Sequence, residues 1–222
     1  MSSQETIYSI RSGFVAIGLG VLAASSMIAG CATESASSSR KGNHTVITLP
    51  NQAEQIAKAQ RLALSAQETS NPRKAIDLYR EAVEAYPDLP AAWNNMGVLL
   101  LSEGRLMEAA EAFGSATERT PNDPRPFFNL GLTWDQAGYL DTALEHYSRA
   151  LTLDERYLPA LRGAIKAETR LGHASPTLVE RIQTALFLER DPKWREYLEL
   201  QRSWAEAEVR AKAGLPTAGV AR

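Results

Sequence analysis

The chain has 222 residues, of which 44% are hydrophobic and 23% charged, and its formal net charge is −2. This composition is typical of a globular protein with a sizeable core, and the abundance of alanine, leucine and glutamate favours helices. A net charge near zero gives no reason to expect nucleic acid as a partner, and the single cysteine excludes an intramolecular disulfide.

The first 30 residues contain a short apolar run that predicts a targeting segment. The run extends from Phe14 to Ala24 after Arg11. It is short for a membrane-spanning helix and has the length of a secretory signal. Residues 28–31 then read Ile-Ala-Gly-Cys, which resembles the bacterial lipoprotein signal. The alternatives are an uncleaved anchor, or an ordinary signal peptide followed by an incidental cysteine.

The lipoprotein resemblance implies cleavage before Cys31, which would then carry acyl chains such as palmitate. Two or three acyl chains give stable membrane anchoring, whereas one is marginal. Residue 32 is alanine rather than aspartate, which by the same resemblance implies sorting to the outer membrane of a cell with two membranes. Residues 31–50 are rich in serine and predict a flexible tether between the lipid and the folded domain.

A skeleton of small and aromatic residues then recurs with a period of 34 residues. In residues 90–123 it consists of Trp93, Met96, Gly97, Leu100, Gly104, Ala109, Phe113, Ala116 and Pro121. It returns downstream as Phe127, Leu130, Gly131, Trp134, Gly138, Ala143, Tyr147 and Ala150, and upstream as Leu62, Ala63, Ala66, Ala75, Tyr79, Ala82 and Pro87. The pattern resembles the tetratricopeptide repeat family over roughly residues 56–190.

The spacing within each period predicts a helical hairpin. In its first helix the skeleton residues fall at i, i+3, i+4 and i+7, so they form one apolar stripe. The small residue of that stripe, such as Gly97 or Gly131, allows the second helix to approach closely. Pro87 and Pro121 separate successive units. Because one hairpin cannot bury its own apolar face, the hairpins must stack.

Taken in order along the chain, the repeats predict a tetratricopeptide domain over 51–190 with about four repeats. Its helices are expected at 51–68, 72–86, within the full repeats 90–120 and 124–154, and at 157–171 and 176–190, where the pattern is degenerate. A last helix within 191–214 is predicted to cap the array, and 215–222 to form a disordered tail. The fold class is therefore all-α, and the family resemblance implies a right-handed α-solenoid. Trp194 and Trp204 leave open that the last helix binds a partner or a second copy.

The sequence contains no recognisable set of catalytic residues. The three histidines, His44, His146 and His173, are scattered without metal-ligand spacing, and His146 is expected to face solvent. Neither a glycine-rich phosphate loop nor a nucleophile elbow is present. We therefore predict no enzyme activity, no metal and no cofactor.

The family resemblance implies a binding groove on the concave face, formed by the first helix of each hairpin. Its predicted residues are Asn94, Asn95, Val98, Leu101, Arg125, Phe128, Asn129, Leu132, Arg162, Lys166 and Arg170, flanked by Gln60, Leu64 and Asp135. Asparagine amides suit a peptide backbone, and the apolar members predict pockets. The three cations at i, i+4 and i+8 predict a basic stripe for an acidic segment or a carboxylate, unless this is simply a solvated helix face.

Some members of the family bind the C-terminal carboxylate of chaperones through a characteristic set of residues. This sequence does not reproduce that set. Asn95 and Arg125 match two of its positions, whereas Gln60, Leu64 and Asn129 do not. The sequence therefore predicts a membrane-anchored scaffold that binds an extended peptide or helix of envelope proteins, resembling pilotins or adaptors of peptidoglycan enzymes. The alternatives are a homo-oligomeric structural lipoprotein and a non-catalytic subunit that presents substrate to an enzyme.

Overall fold

A computed structural model describes residues 52–215 as a series of antiparallel helices joined by short turns. Within these residues there are nine helices and no strand. They are α1 Gln52–Glu68, α2 Pro72–Ala85, α3 Pro90–Ser102, α4 Leu106–Arg119, α5 Pro124–Gln136, α6 Leu140–Leu153, α7 Leu158–Leu171, α8 Pro176–Leu188 and α9 Pro192–Lys212. The predicted signal peptide, Cys31, the tether and residues 216–222 lie outside the described part.

Local turn chemistry sets the helix ends. The Asn71 side chain accepts hydrogen bonds from the backbone N–H groups of Arg73 and Lys74, and so caps α2. Gly104, Gly138 and Gly172 follow α3, α5 and α7, with φ of 75°, 88° and 70°. In this left-handed region glycine carries no Cβ penalty, so each first helix ends where the sequence predicts.

The 34-residue period extends to the last helix. The helices α3, α5, α7 and α9 begin at residues 90, 124, 158 and 192, which are 34 apart. Relative to the preceding unit, α7 and the turn after it are each one residue longer, and α8 and its following turn are each one residue shorter. The two changes cancel. Helix α9, which the sequence predicts as a cap, therefore has the register of the first helix of a fifth hairpin.

Aromatic residues from the second helices fill the space between hairpins. Tyr79, Phe113 and Tyr147 are at most 1% exposed. A Cβ added to Gly131 would lie 2.7 Å from the Tyr147 ring, and one added to Gly163 would lie 2.6 Å from it. Tyr147 is thus packed between a glycine of its own hairpin and a glycine of the next one. Gly163 is outside the predicted skeleton.

The pattern of helix contacts defines the inner side of the curve. The first helices α3, α5 and α7 contact each other in succession, besides contacting their own hairpin partners. Second helices of successive hairpins make no comparable contacts within residues 52–215. The first helices are therefore closer together and line the concave surface. The prediction of an all-α solenoid of helical hairpins is confirmed.

Filling the space at Gly131 should destabilise the solenoid. The new Cβ of Gly131→Ala would meet the Tyr147 ring and, at 3.1 Å, the backbone oxygen of Ala143. Overpacking of this kind costs about 1–3 kcal/mol, which exceeds the helix-propensity gain of about 1 kcal/mol. We expect a net loss on the order of 1 kcal/mol in the free energy of unfolding, measured by urea denaturation.

The matched control is Gly114→Ala in α4, where no atom lies within 4 Å of the added Cβ. Here only the propensity and entropy terms act, so we expect a gain of about 0.5–1 kcal/mol. Equal effects of the two substitutions would contradict close packing of Tyr147 at Gly131.

Candidate functional site

The predicted asparagines form a hydrogen-bonded chain across three hairpins. Asn95 donates from Nδ2 to the Tyr79 hydroxyl at 3.4 Å, and Asn94 donates to Asn95 Oδ1 at 3.4 Å. Asn129 in α5 donates from Nδ2 to Asn94 Oδ1 at 2.9 Å. Burial raises the pKa of the Tyr79 hydroxyl, although its hydrogen bonds to Asn95 and Gln67 act in the opposite direction.

This chain lies mostly beneath the concave surface. Asn95 is 0% exposed, Asn94 4% and Asn129 8%. The structure therefore brings the three amides together, but they bond to each other and to Tyr79. A peptide backbone reaching Asn94 or Asn129 would have to compete with these bonds.

The apolar members form a floor rather than separate deep pockets. Val98, Leu101 and Leu132 are buried, because neighbouring side chains cover nearly all of their surface. The half-buried Phe128 ring packs against Tyr147 and Tyr157, with ring centroids 5.9 and 5.7 Å apart. Aromatic contact at this range stabilises the floor beyond its buried area.

Arg125 is held by the residue that caps its own helix. Its Nε donates to Asp123 Oδ1 at 2.9 Å and its Nη2 to Asp123 Oδ2 at 2.6 Å. Burial acts to raise the pKa of the Asp123 carboxyl, but the hydrogen bonds and charge of Arg125 outweigh it and lower that pKa. The charge of Arg125 is therefore balanced by Asp123 at the start of α5.

Arg162 joins α7 to the start of α9. Its Nε donates to Glu189 Oε2 at 2.7 Å, and its guanidinium lies 4.6 Å from the centroid of the Trp194 ring. Glu189 is 4% exposed, and its other oxygen accepts the backbone N–H groups of Arg190 and Asp191. This buried ion pair orders the turn before α9, so Arg162 has a structural partner.

The predicted basic stripe contains one unpaired cation. Arg170 forms an ion pair with Asp135 in α5, just as Arg162 pairs with Glu189. Lys166 is partly exposed between them, and its ammonium makes no hydrogen bond or ion pair with any residue of 52–215. The net positive charge of the stripe therefore resides on Lys166.

The aromatic residues of α9 contact the array. Trp194 meets Tyr197 edge-on at 5.6 Å besides stacking on Arg162, and Tyr197 shares a hydrogen bond with Thr169 of α7 at 3.2 Å. Trp204 is half-buried against the core. These contacts hold α9 against α7 and α8.

A buried carboxylate joins the two helices of the fourth hairpin, and its arginine partner reaches the third hairpin. Glu168 in α7 is 6% exposed and lies 2.9 Å from Arg181 in α8, which also donates to the Ser148 hydroxyl in α6. The second oxygen, Oε2, has no hydrogen-bond partner. Burial raises the pKa of Glu168 despite the favourable charge of Arg181. The 34-residue period identifies Glu168 as a buried position in the sequence, since Leu100 and Trp134 occupy the equivalent positions of the two preceding repeats.

The titratable groups of the described residues form no recognisable reaction centre. Among residues 52–215, no three histidine, cysteine or acidic side chains lie close enough together to hold a metal ion. His146, which the sequence predicts at the solvent, is instead half-buried, and burial lowers its pKa. No described helix combines the length and hydropathy needed to cross a bilayer.

Comparison with known proteins places these hairpins in context. Residues 61–124 and 99–157 match the model of the tetratricopeptide repeat. The peroxisomal targeting signal receptor of Candida albicans is 29% identical over 154 residues, which cover 68% of this chain and 24% of the receptor. Photosystem I assembly protein Ycf3 of Synechococcus is 32% identical over 78 residues, covering 34% of this chain and 45% of Ycf3.

A third relative bears the name of a probable N-acetylglucosaminyltransferase, SPINDLY of Hordeum vulgare. It is 33% identical over 106 residues, or 45% of this chain and 11% of SPINDLY. The chain thus spans less than half the length of each of these three curated relatives.

Solved structures share the fold at low sequence identity. A crystal structure of MamA has a TM-score of 0.59 at 14% identity, covering 73% of this chain and 85% of MamA. The first TPR of Spaghetti, bound to the HSP90 peptide SRMEEVD, has a TM-score of 0.51 at 19% identity, covering 53% of this chain and 95% of that domain. At these identities the likeness concerns the fold.

Removing Arg162 should destabilise the attachment of α9. Arg162→Ala would leave Glu189 buried without its cation. This costs about 3–5 kcal/mol for a fully buried pair and less here, because the Arg162 side chain is 28% exposed. We expect that loss in urea denaturation followed by tryptophan fluorescence. Arg105→Ala, which breaks the exposed pair with Glu108, is the control and should have a much smaller effect. Similar losses would show that the Arg162 pair adds little.

Glu168 should make stability depend on pH. Its pKa is raised in the folded state, so protonated Glu168 favours folding. The stabilisation is complete below the unfolded pKa of about 4.3 and is lost as the pH rises through the folded pKa. We therefore expect wild type to lose stability relative to Glu168→Gln between pH 4 and neutrality, as measured by urea denaturation.

The pH comparison is repeated in a His173→Gln background, since His173 also acts on the pKa of Glu168. A difference between wild type and Glu168→Gln that stays constant with pH would contradict the raised pKa.

Proposed function

Because the chain belongs to the tetratricopeptide repeat family, we propose that it is a lipid-anchored adaptor that binds peptide segments of envelope proteins and promotes their assembly. The repeats make the chain a scaffold for protein–protein interaction. The anchor, the envelope location and the role in assembly are the parts that we propose.

The observation that carries the proposal is the concave surface formed by the successive first helices α3, α5 and α7. It combines an apolar floor with partly exposed polar and charged groups at its edges, as a groove for a peptide requires. The names of the matched proteins support binding of this kind, since they include a targeting-signal receptor and an assembly protein. Spaghetti was solved with a peptide bound.

The anchor rests on the sequence at Cys31. The Ile-Ala-Gly-Cys motif follows an apolar run of signal-peptide length, and the serine-rich residues 31–50 provide reach between a membrane and the helical array. An anchored scaffold of this kind meets its partners at the membrane surface. In a cell with two membranes we place it at the periplasmic face of the outer membrane.

A second candidate is a non-catalytic subunit that presents a substrate to a transferase, favoured by the match to SPINDLY. It differs from the adaptor in requiring a transferase among the proteins that contact the groove. Identification of crosslinked partners by mass spectrometry therefore separates the two functions.

Replacing the lipidated residue tests the anchor. In the source organism, Cys31→Ser should abolish incorporation of labelled palmitate and leave the precursor uncleaved, because serine supplies no thiol for the thioether. Gel mobility and radiolabel report both effects. Cys31→Ser chains that still incorporate palmitate and fractionate normally would refute the lipoprotein assignment.

Acidic substitutions on the groove test partner binding. Leu64 and Leu200 are 37% and 66% exposed on first-helix surfaces, so Leu64→Asp with Leu200→Asp should leave the fold intact. We expect loss of the crosslinked envelope partner that the wild type captures. Met107→Asp, at a 62% exposed site on a second helix, is the matched control and should retain capture. Undiminished capture by the double variant would refute the groove.

A further inference from the structure

Five residues spaced 34 apart form a row along the concave surface. One comes from each first helix: Leu64, Val98, Leu132, Lys166 and Leu200. The starts of the first helices α3, α5, α7 and α9 keep the same period, so the row residues of these four helices hold equivalent positions. Leu64 and Leu200 are 37% and 66% exposed at the ends of the row, whereas Val98 and Leu132 are each 6% exposed and form its floor.

Lys166 is the only charged member of this row. Its neighbours one helical turn away on either side, Arg162 and Arg170, are neutralised by Glu189 and Asp135. Covering Lys166 with an apolar ligand would remove its ammonium from water without a compensating partner, which is unfavourable. Covering it with a ligand that carries a carboxylate would form a charge-assisted hydrogen bond instead.

Building on the proposed function, we propose that the groove selects a peptide segment in which one acidic residue lies between aliphatic residues. The acidic side chain faces Lys166, and the aliphatic ones face Leu132 and Leu200. Neighbouring packed helices are about 8–10 Å apart. A peptide in the extended polyproline II conformation advances about 3.1 Å per residue with three residues per turn, so side chains three residues apart lie on one face and about 9 Å apart. The motif is therefore aliphatic-x-x-(Asp/Glu)-x-x-aliphatic.

Two other occupants of the row are distinguishable by their chemistry. The chain's own residues 46–49 are Val-Ile-Thr-Leu, which offer aliphatic side chains but no carboxylate to Lys166. A second copy of the chain in the groove would appear as a dimer. Charge complementarity at Lys166 therefore favours an acidic partner segment.

The experiment is a selection with a phage-displayed random library of twelve-residue peptides on the full chain, purified in detergent. We expect wild type to enrich peptides with Asp or Glu between aliphatic residues. Lys166→Glu should change the preference to Lys or Arg at that position. The matched control Lys74→Glu, a charge reversal on the exposed face of the second helix α2, should retain the wild-type preference.

The strongest wild-type peptide is then measured against Lys166→Met by fluorescence anisotropy. Loss of one charge-assisted hydrogen bond predicts an affinity about tenfold lower. Replacing the acidic residue of the peptide by its amide should cause a similar loss with wild type and almost none with Lys166→Met.

The outcomes separate this inference from the proposed function. Enrichment of peptides without an acidic preference, or with one that Lys166→Glu leaves unchanged, overturns the motif and leaves peptide binding intact. Enriched peptides that resemble residues 46–49 overturn it in favour of the chain's own segment. Failure of every variant to enrich any peptide overturns peptide binding itself.

Discussion

Each helical hairpin of this chain has an apolar face that only the next hairpin can cover, and the rest of the structure depends on this packing between neighbouring hairpins. The clearest example is the Tyr147 ring, which lies between Gly131 of its own hairpin and Gly163 of the following one. The ring is too close to either glycine to leave room for a Cβ. Such a contact fixes the distance between units. Since interiors are densely packed, a side chain at either glycine would have to displace the ring or the helix.

The polar features of the concave side follow from the same packing. At the position two periods before Gly163, Asn95 meets the hydroxyl of Tyr79, and the resulting chain of amides continues to Asn129. In α7 this position is Gly163, which has no amide to continue the chain of hydrogen bonds. The neighbouring Arg162 instead donates to Glu189. Hydrogen bonds thus connect the early hairpins, and a buried ion pair connects the last hairpin to α9.

The sequence predicts the fold well because its signals are local. Glycine after α3, α5 and α7, proline near helix starts and alanine at the packing stripes act within a few residues, so a repeated period identifies them. The ion pairs are different: Arg162 and Glu189 are 27 residues apart, and Arg170 and Asp135 are 35 apart. Only stacking decides that they meet, and the predicted basic stripe therefore loses two of its three charges to partners.

Burial also changes what the groove can contribute to binding. Val98 and Leu132 are already 94% covered, so a ligand gains little there at about 25 cal/mol per Å² of apolar surface. Most of the remaining apolar gain comes from Leu64 and Leu200, at opposite ends of the row. A short peptide reaches one end only, and its affinity would then be modest, with selectivity set by Lys166. Anchoring the scaffold and its partners to one membrane would compensate for modest affinity, because tethering raises their effective concentration without any new contact.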